Sequence, residues 1–182
     1  KNPQYRDFFR LMDYMNRVSS LISGGTHIAS AAVLYHAEGE WAGENYMKSQ
    51  TPVRVLAEDQ IDCDILPIDV ILQSTGLIDG MLSVNGESYG ALILPYAEAV
   101  PLSLVNALKK LTEQGLPVWF VNEFPRRLTD KSANGSERMA ELLSGCEAVP
   151  LGKLAEKLRA LGIFDLTVSP SVPDLRIYHY RQ

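Results

Sequence analysis

Short apolar runs alternate with amphipathic stretches along most of this chain. Four runs carry little or no charge and are typical of parallel strands that are covered on both faces. They lie at residues 28–35, 63–66, 91–94 and 117–121. Strands separated by helical stretches favour parallel pairing through crossovers. The pattern therefore predicts an α/β fold: a three-layer, doubly wound, mainly parallel sheet.

Apolar spacing of three and four residues predicts the helices. The first is a lead-in helix that Gly24-Gly25 ends, and Thr51-Pro52 begins a later one. A further helical stretch contains Tyr46 and Met47. The predicted helices cover residues 5–23, 51–60, 67–72, 101–114, 136–143 and 152–161.

Three segments depart from this alternation of strands and helices. Asn85-Gly86 accepts positive φ at both central turn positions and predicts a hairpin within residues 81–89. Residues 164–168 are predicted as an edge strand, and the aromatic, alternating residues 175–180 as an antiparallel strand. We accordingly predict three parts, namely a lead-in helix from a preceding domain, an α/β domain and the start of a following β domain. They span residues 1–26, 27–170 and 171–182.

Composition narrows the classes of function. The formal charge of -5 is spread without a basic run, which argues against nucleic acid as a partner. The longest apolar stretches are strand-sized, so no membrane span is predicted. Cys63 and Cys146 stand alone, without the paired spacing of a zinc site, and are predicted to be reduced and inert. The sequence leaves the compartment open.

Ligands of doubly wound folds collect beyond the carboxyl ends of the strands. Three predicted loops lie there, at residues 36–43, 95–100 and 122–128. Their candidate ligand or interface residues are Glu38, Glu40, Trp41, Tyr96, Asn122 and Glu123. The structural alternative is that the carboxylate of Glu40 favours a helix start and that Trp41 packs against a neighbour.

Two carboxylates at a suitable separation can hydrolyse a glycoside, and Glu38 and Glu123 are the pair to test. Spacing alone fixes no distance between them. No strand end carries a nucleophile on a strained, glycine-flanked turn, so acyl transfer is not predicted. The three histidines are scattered, and no glycine-rich phosphate loop is present. We therefore predict no catalytic residue, no metal site and no cofactor.

Several strings resemble a segment of large glycoside hydrolases that follows the catalytic barrel. They are residues 14–21 (YMNRVSSL), 25–29 (GTHIA), 33–35 (VLY), 61–66 (IDCDIL) and 89–95 (YGALILP). The closest resemblance is to α-L-rhamnosidase-like proteins of glycoside hydrolase family 106. The architecture is similar to flavodoxin-like, class I glutamine amidotransferase-like domains, including the trimerisation domain of some β-galactosidases. The amidotransferase cysteine has no counterpart here.

The resemblance implies an accessory domain that supports or lines the active site of a separate barrel. Its implied partners are other domains of the same polypeptide, with carbohydrate as a candidate ligand. The alternative hypothesis is a stand-alone α/β protein that binds or hydrolyses a small molecule in a pocket at the strand ends. A third is a homo-oligomerisation module, which an interface above about 1,000 Å² would support.

Overall fold

The computed structural model describes residues 4–41, 45–74, 76–129, 135–170 and 172–182. Its helices are α1 (Tyr5–Leu21), α2 (Ala37–Trp41), α3 (Gln50–Glu58), α4 (Ile68–Gln73), α5 (Leu102–Glu113), α6 (Gly135–Leu142) and α7 (Leu154–Ala160), with a 3-10 turn at Leu151–Lys153 before α7. Its strands are β1 (Thr26–His27), β2 (Ala31–Tyr35), β3 (Cys63–Pro67), β4 (Leu77–Ile78), β5 (Met81–Val84), β6 (Glu87–Tyr89), β7 (Leu92–Leu94), β8 (Ala99–Val100), β9 (Val118–Val121), β10 (Arg127–Leu128), β11 (Glu147–Val149) and β12 (Tyr180–Arg181).

The central sheet has five parallel strands in the order β11-β9-β7-β2-β3. Numbered by their sequence within this sheet, the strands run 2-1-3-4-5, which is the order of flavodoxin-like sheets. The predicted parallel α/β sheet is thus confirmed, and its order is consistent with a flavodoxin-like fold. The reversal between β2 and β7 places the topological switch point next to the end of β2.

The sheet separates two apolar clusters because successive residues of a strand face opposite sides. On one face, Leu34 and Phe120 pack with residues of α4, α5 and α6. On the other face, Val33 and Trp119 pack with residues of α3 and α7. Both faces are therefore covered, which explains why these strands contain continuous apolar runs in place of an alternating pattern.

A small antiparallel sheet, β4-β5-β6, lies between β3 and β7 in the chain. The predicted turn at Asn85-Gly86 is confirmed, since φ is 50° at Asn85 and 87° at Gly86. Leu82 and Tyr89 of this sheet are buried and join the first apolar cluster. The hairpin is thereby attached to the main core.

Helix α1 is confirmed, but it ends at Leu21 and has no buried residue. Strand β1 follows it and pairs antiparallel with β12. We call this pair, residues 26–27 with 180–181, the terminal ribbon. The predicted strand at residues 175–180 is antiparallel as expected, yet only Tyr180–Arg181 is a strand.

Several local predictions were wrong. The predicted loop 36–43 contains α2 over Ala37–Trp41, while its last two residues lie outside the described part. Tyr46 does not lie in a helix but forms an isolated antiparallel bridge to Ala97. Residues 164–168 form no strand, since the loop after α7 pairs with none of the sheets described above. The sheet edge is formed by β11, which the sequence analysis missed.

Candidate functional site at the carboxyl edge of the sheet

The carboxyl ends of β2, β7 and β9 carry the six candidate residues, as the parallel topology requires. Glu38, Glu40 and Trp41 belong to α2, and all three are exposed, Trp41 to 80%. Gly39 is buried on the inner side of the same helix, and a Cβ there would come within 3.6 Å of Ala97. The buried side of α2 thus contains Gly39, while the two carboxylates and the indole lie at the surface.

His36 anchors the start of α2 beneath this surface. Its side chain is 4% exposed, and its Nε2 lies 3.1 Å from the carbonyl oxygen of Tyr96. Burial lowers the pKa of His36 below 6.5, although the nearby charges of Glu38 and Glu40 act in the opposite direction. A neutral imidazole that donates to a carbonyl holds two strand ends together and is not available as a general acid.

Tyr46 connects α2 to the loop after β7. Its ring meets His36 edge-on with a centroid separation of 6.0 Å. Its backbone pairs with Ala97, and the neighbouring Met47 amide donates to the Tyr96 carbonyl at 2.7 Å. Desolvation, together with the charge of Glu40 and a hydrogen bond to that carboxylate, raises the pKa of the Tyr46 phenol. Glu40 is therefore tied to a neutral phenol.

Asn122 occupies a strained turn directly after β9. Its φ of 68° lies in the left-handed region, where asparagine is tolerated better than most residues. Its side-chain Oδ1 accepts a hydrogen bond from the Leu151 amide at 2.9 Å, and its own amide donates to Val149 at 2.8 Å. The turn has no flanking glycine and carries an amide that links β9 to β11, so it is not a nucleophile-bearing turn of the kind that the sequence analysis did not predict.

Glu123 lies next to Asn122 and is exposed. Its carboxylate accepts a hydrogen bond from the Arg126 guanidinium at 3.1 Å. The Glu123 hydrogen bond, followed by the charge of Tyr96 and then that of Glu123 itself, raises the pKa of Arg126. The Glu98 carbonyl accepts from the amides of Arg126 and Arg127. Glu123 therefore interacts with Arg126, whereas the charge of Glu38 acts on His36.

The two cysteines fit the predicted inert role. Both are free and half-buried. Burial raises the pKa of each thiol to about 12, and the carboxylates of Asp62 and Asp64 add to the effect at Cys63. A thiol that stays protonated at neutral pH is a poor nucleophile and a poor metal ligand.

A cavity of about 520 Å³ lies beside the β9 loop, between Phe124 and α6. Its lining is mostly apolar and includes Pro125, Met139, Leu143 and Cys146. Arg126 stands at this cavity and is already paired with Glu123. The cavity is thus adjacent to the candidate residues Asn122 and Glu123, although neither lines it.

No group of three or more His, Cys, Asp or Glu residues in the described part of the chain is arranged to hold a metal ion. Within the same residues, no helix is both long and apolar enough to span a bilayer.

Sequence reasoning missed a polar cluster at the opposite edge, beside the amino ends of β2 and β3. There His27 lies between Asp62 and Asp64, and Tyr89 lies between Asp64 and Glu87. The alternation Asp62-Cys63-Asp64 was the available signal, because residues two apart on a strand share a face. Nothing local indicated that His27, 35 residues before Asp62, would meet them.

Fold and site together define a protein of the parallel α/β class, with an order of strands consistent with flavodoxin-like proteins and with polar residues at the switch-point edge. No family model matches the chain, and no curated protein matches it.

Proposed function

We propose that this chain is an accessory, non-catalytic domain of a multidomain glycoside hydrolase, where it supports or lines a site formed elsewhere in the polypeptide. In this proposal α1 is a lead-in from a preceding domain, the flavodoxin-like sheet is the accessory domain, and the last residues begin a following β domain. Carbohydrate is the substrate class of the whole protein.

The surface of α1 carries the proposal. The helix has 17 residues and none of them is buried, although one side of it is apolar. Its large exposed side chains are Tyr5, Phe8, Phe9, Leu11, Tyr14, Met15 and Leu21. A contiguous apolar surface of this kind marks an interaction site more often than a solvated face. The domain core is meanwhile covered on both faces of its sheet without any help from α1.

The carboxyl edge supports a non-catalytic role. Asn122 and His36 hold strand ends together, Glu40 is bound to Tyr46, and Glu123 is bound to Arg126. The three candidate carboxylates Glu38, Glu40 and Glu123 are exposed, whereas the general acid of a glycosidase has a pKa that its surroundings raise. The exposed indole of Trp41 remains, and an aromatic face beside carboxylates suits contact with a polar ligand such as a sugar.

The test is turnover of aryl-glycosides by the chain. We expect none, because Glu38, Glu40 and Glu123 are all exposed and no apolar surrounding would keep one of them protonated as the acid. Hydrolysis that Glu38→Gln or Glu123→Gln abolishes would contradict the proposal, with Glu113→Gln on α5 as a matched control. Self-association that Phe8→Glu abolishes would favour the oligomerisation module instead.

The cavity beside α6 favours a second candidate function, a stand-alone protein that binds a small molecule. Its volume of about 520 Å³ lies within the range of ligand pockets. Binding of a small apolar anion, measured as a rise in melting temperature, should then disappear in Ala140→Trp, which fills the cavity. Ala160→Trp on α7 is the matched control. Loss of binding in both variants would exclude the cavity as the site.

A further inference from the structure

The terminal ribbon contacts the edge of the main sheet through His27, a largely buried histidine. His27 of β1 extends over β3, which is an edge strand of the five-stranded sheet. Its Nε2 lies 2.7 Å from Asp62 Oδ2 and its Nδ1 lies 3.1 Å from Asp64 Oδ1. The His27 side chain is only 13% exposed, and the two carboxylates are about a quarter exposed.

This geometry favours a doubly protonated ring. A neutral imidazole carries one N–H and can donate to only one of two carboxylate oxygens, whereas an imidazolium donates to both. The remaining lone pair of a neutral ring would instead point at a carboxylate oxygen and repel it. The arrangement therefore selects the charged form of His27 whenever the ribbon is docked.

The groups around His27 reinforce its charge. Tyr178 stacks on the imidazole with a centroid separation of 4.3 Å and an interplanar angle of 3°, which places a π face against the cation. Tyr180 stacks in turn on Tyr178 at 6.2 Å. Asp64 also accepts a hydrogen bond from Tyr89 at 3.0 Å, and Tyr89 lies 2.7 Å from Glu87. Three carboxylates thus surround one histidine and one phenol, and Cys63 lies between the two aspartates.

The other contacts of the ribbon are few. The Ile28 amide donates to His179 at 3.0 Å, the hydroxyl of Tyr180 contacts the Gly25 amide, and His179 pairs with Asp165. Gln182 donates to the Leu21 carbonyl at 3.0 Å, so the ribbon also holds the end of α1. Release of the ribbon would therefore also release the carboxyl end of α1.

We propose that His27 is a pH-dependent clasp, which docks the terminal ribbon onto the sheet edge when the imidazole is protonated and releases it when it is not. Asp62 and Asp64 accept the two hydrogen bonds of the imidazolium, and Tyr178 stacks on the ring.

The direction of the pH effect follows from linkage. Burial alone would lower the pKa of His27, but the hydrogen bond and charge of Asp62, followed by those of Asp64, outweigh burial and raise it above 6.5. In the released ribbon the ring is in water and titrates near 6.5. Docking is therefore at full strength below pH 6.5 and weakens as the pH rises through the raised pKa, by about tenfold for each unit by which the pKa is raised.

Amide hydrogen exchange of the chain between pH 5.5 and 8.5 tests this. The reporter is the Ile28 amide, and the reference is the Leu92 amide, which donates to Pro117 inside the main sheet. After correction for intrinsic exchange, protection of Ile28 relative to Leu92 should fall as the pH rises. His27→Asn should abolish this pH dependence, whereas the control His179→Gln should retain it. Protection that is independent of pH in the unmodified chain would overturn the proposal.

A titration of the His27 ring by NMR keeps the proposal testable if His27→Asn does not fold. The midpoint should lie above 6.5 in the unmodified chain and should fall in Asp62→Asn, which retains the ring. A midpoint at or below 6.5 in the unmodified chain would refute the clasp. An unchanged midpoint in Asp62→Asn would refute it as well.

Discussion

His27 and His36 lie nine residues apart, before and after strand β2, and their surroundings shift their pKa values in opposite directions. Both lose water contact. His27 meets two carboxylates and its pKa is raised, while His36 meets the Tyr96 carbonyl and its pKa is lowered. Burial disfavours the cation in both cases, so the partner decides the outcome.

The polar groups at the two edges of the sheet also differ. The carboxyl edge has strained or capped turns whose polar groups are neutral or paired at the surface. The amino edge concentrates partly buried charge, where three carboxylates share one histidine and one tyrosine. In parallel α/β proteins the carboxyl edge is where ligands usually bind. In this chain the stronger electrostatic arrangement lies at the other edge and serves to hold chain segments together.

The largest effect should come from His27→Ala, because it leaves Asp62 and Asp64 partly buried without a cation. We expect a loss of about 3 kcal/mol in the free energy of unfolding at pH 6, which is at the low end for a broken buried pair since the carboxylates are partly exposed. Chemical denaturation measures the loss. The difference should shrink as the pH rises through the raised pKa of His27, where the unmodified chain also loses the cation. A difference that is constant with pH would indicate lost packing alone.

An intermediate effect is expected at the carboxyl edge, from Asn122→Ala. Alanine tolerates positive φ poorly and cannot accept the hydrogen bond from the Leu151 amide. The two losses together should cost about 1–2 kcal/mol. Asn122→Gly accepts the backbone conformation and should cost less than Asn122→Ala, although it lacks the same hydrogen bond. Equal costs for the two variants would show that strain contributes nothing, and thermal unfolding distinguishes these outcomes.

The smallest effect should come from His36→Leu. The Tyr96 carbonyl keeps its bond from the Met47 amide, so at pH 8 the substitution should cost about 1 kcal/mol or less. The pKa of His36 is lowered on folding, so below pH 6.5 the unfolded chain binds a proton that the folded chain does not. The unmodified protein therefore loses stability as the pH falls from 6.5 through the folded pKa, and leucine removes that loss. Denaturation at pH 5 should show a smaller cost than at pH 8.

Continuous apolar runs made four of the five sheet strands predictable. The fifth, Glu147–Val149, has three residues that begin with an exposed glutamate, and only its pairing with β9 makes it a strand. Helix α2 was missed because its five residues include Gly39, which indicates a turn in sequence but is helical and buried here. Tyr46 was misplaced because its partner Ala97 lies far away in the chain. Short elements depend on tertiary contacts that local periodicity does not encode.

The candidate residues were predictable as a location, because parallel strands bring their carboxyl ends to one edge. Their roles were not. Asn122 accepts a hydrogen bond from Leu151, and Glu123 pairs with Arg126 and not with Glu38. These contacts depend on side-chain directions beyond the strand ends, which the sequence pattern does not indicate. Whether these residues contact a sugar remains a proposal.

The tight turn at Asn85-Gly86 has an effect well beyond its own hairpin. It fixes the alignment in which Val84 lies opposite Glu87 and Leu82 opposite Tyr89. Glu87 and Tyr89 consequently share the inward side of β6, where the phenol reaches both Glu87 and Asp64. A slip of one position would turn both side chains outward and remove an acid from the neighbourhood of His27. A two-residue bend thus determines whether a third carboxylate lies at this edge of the sheet.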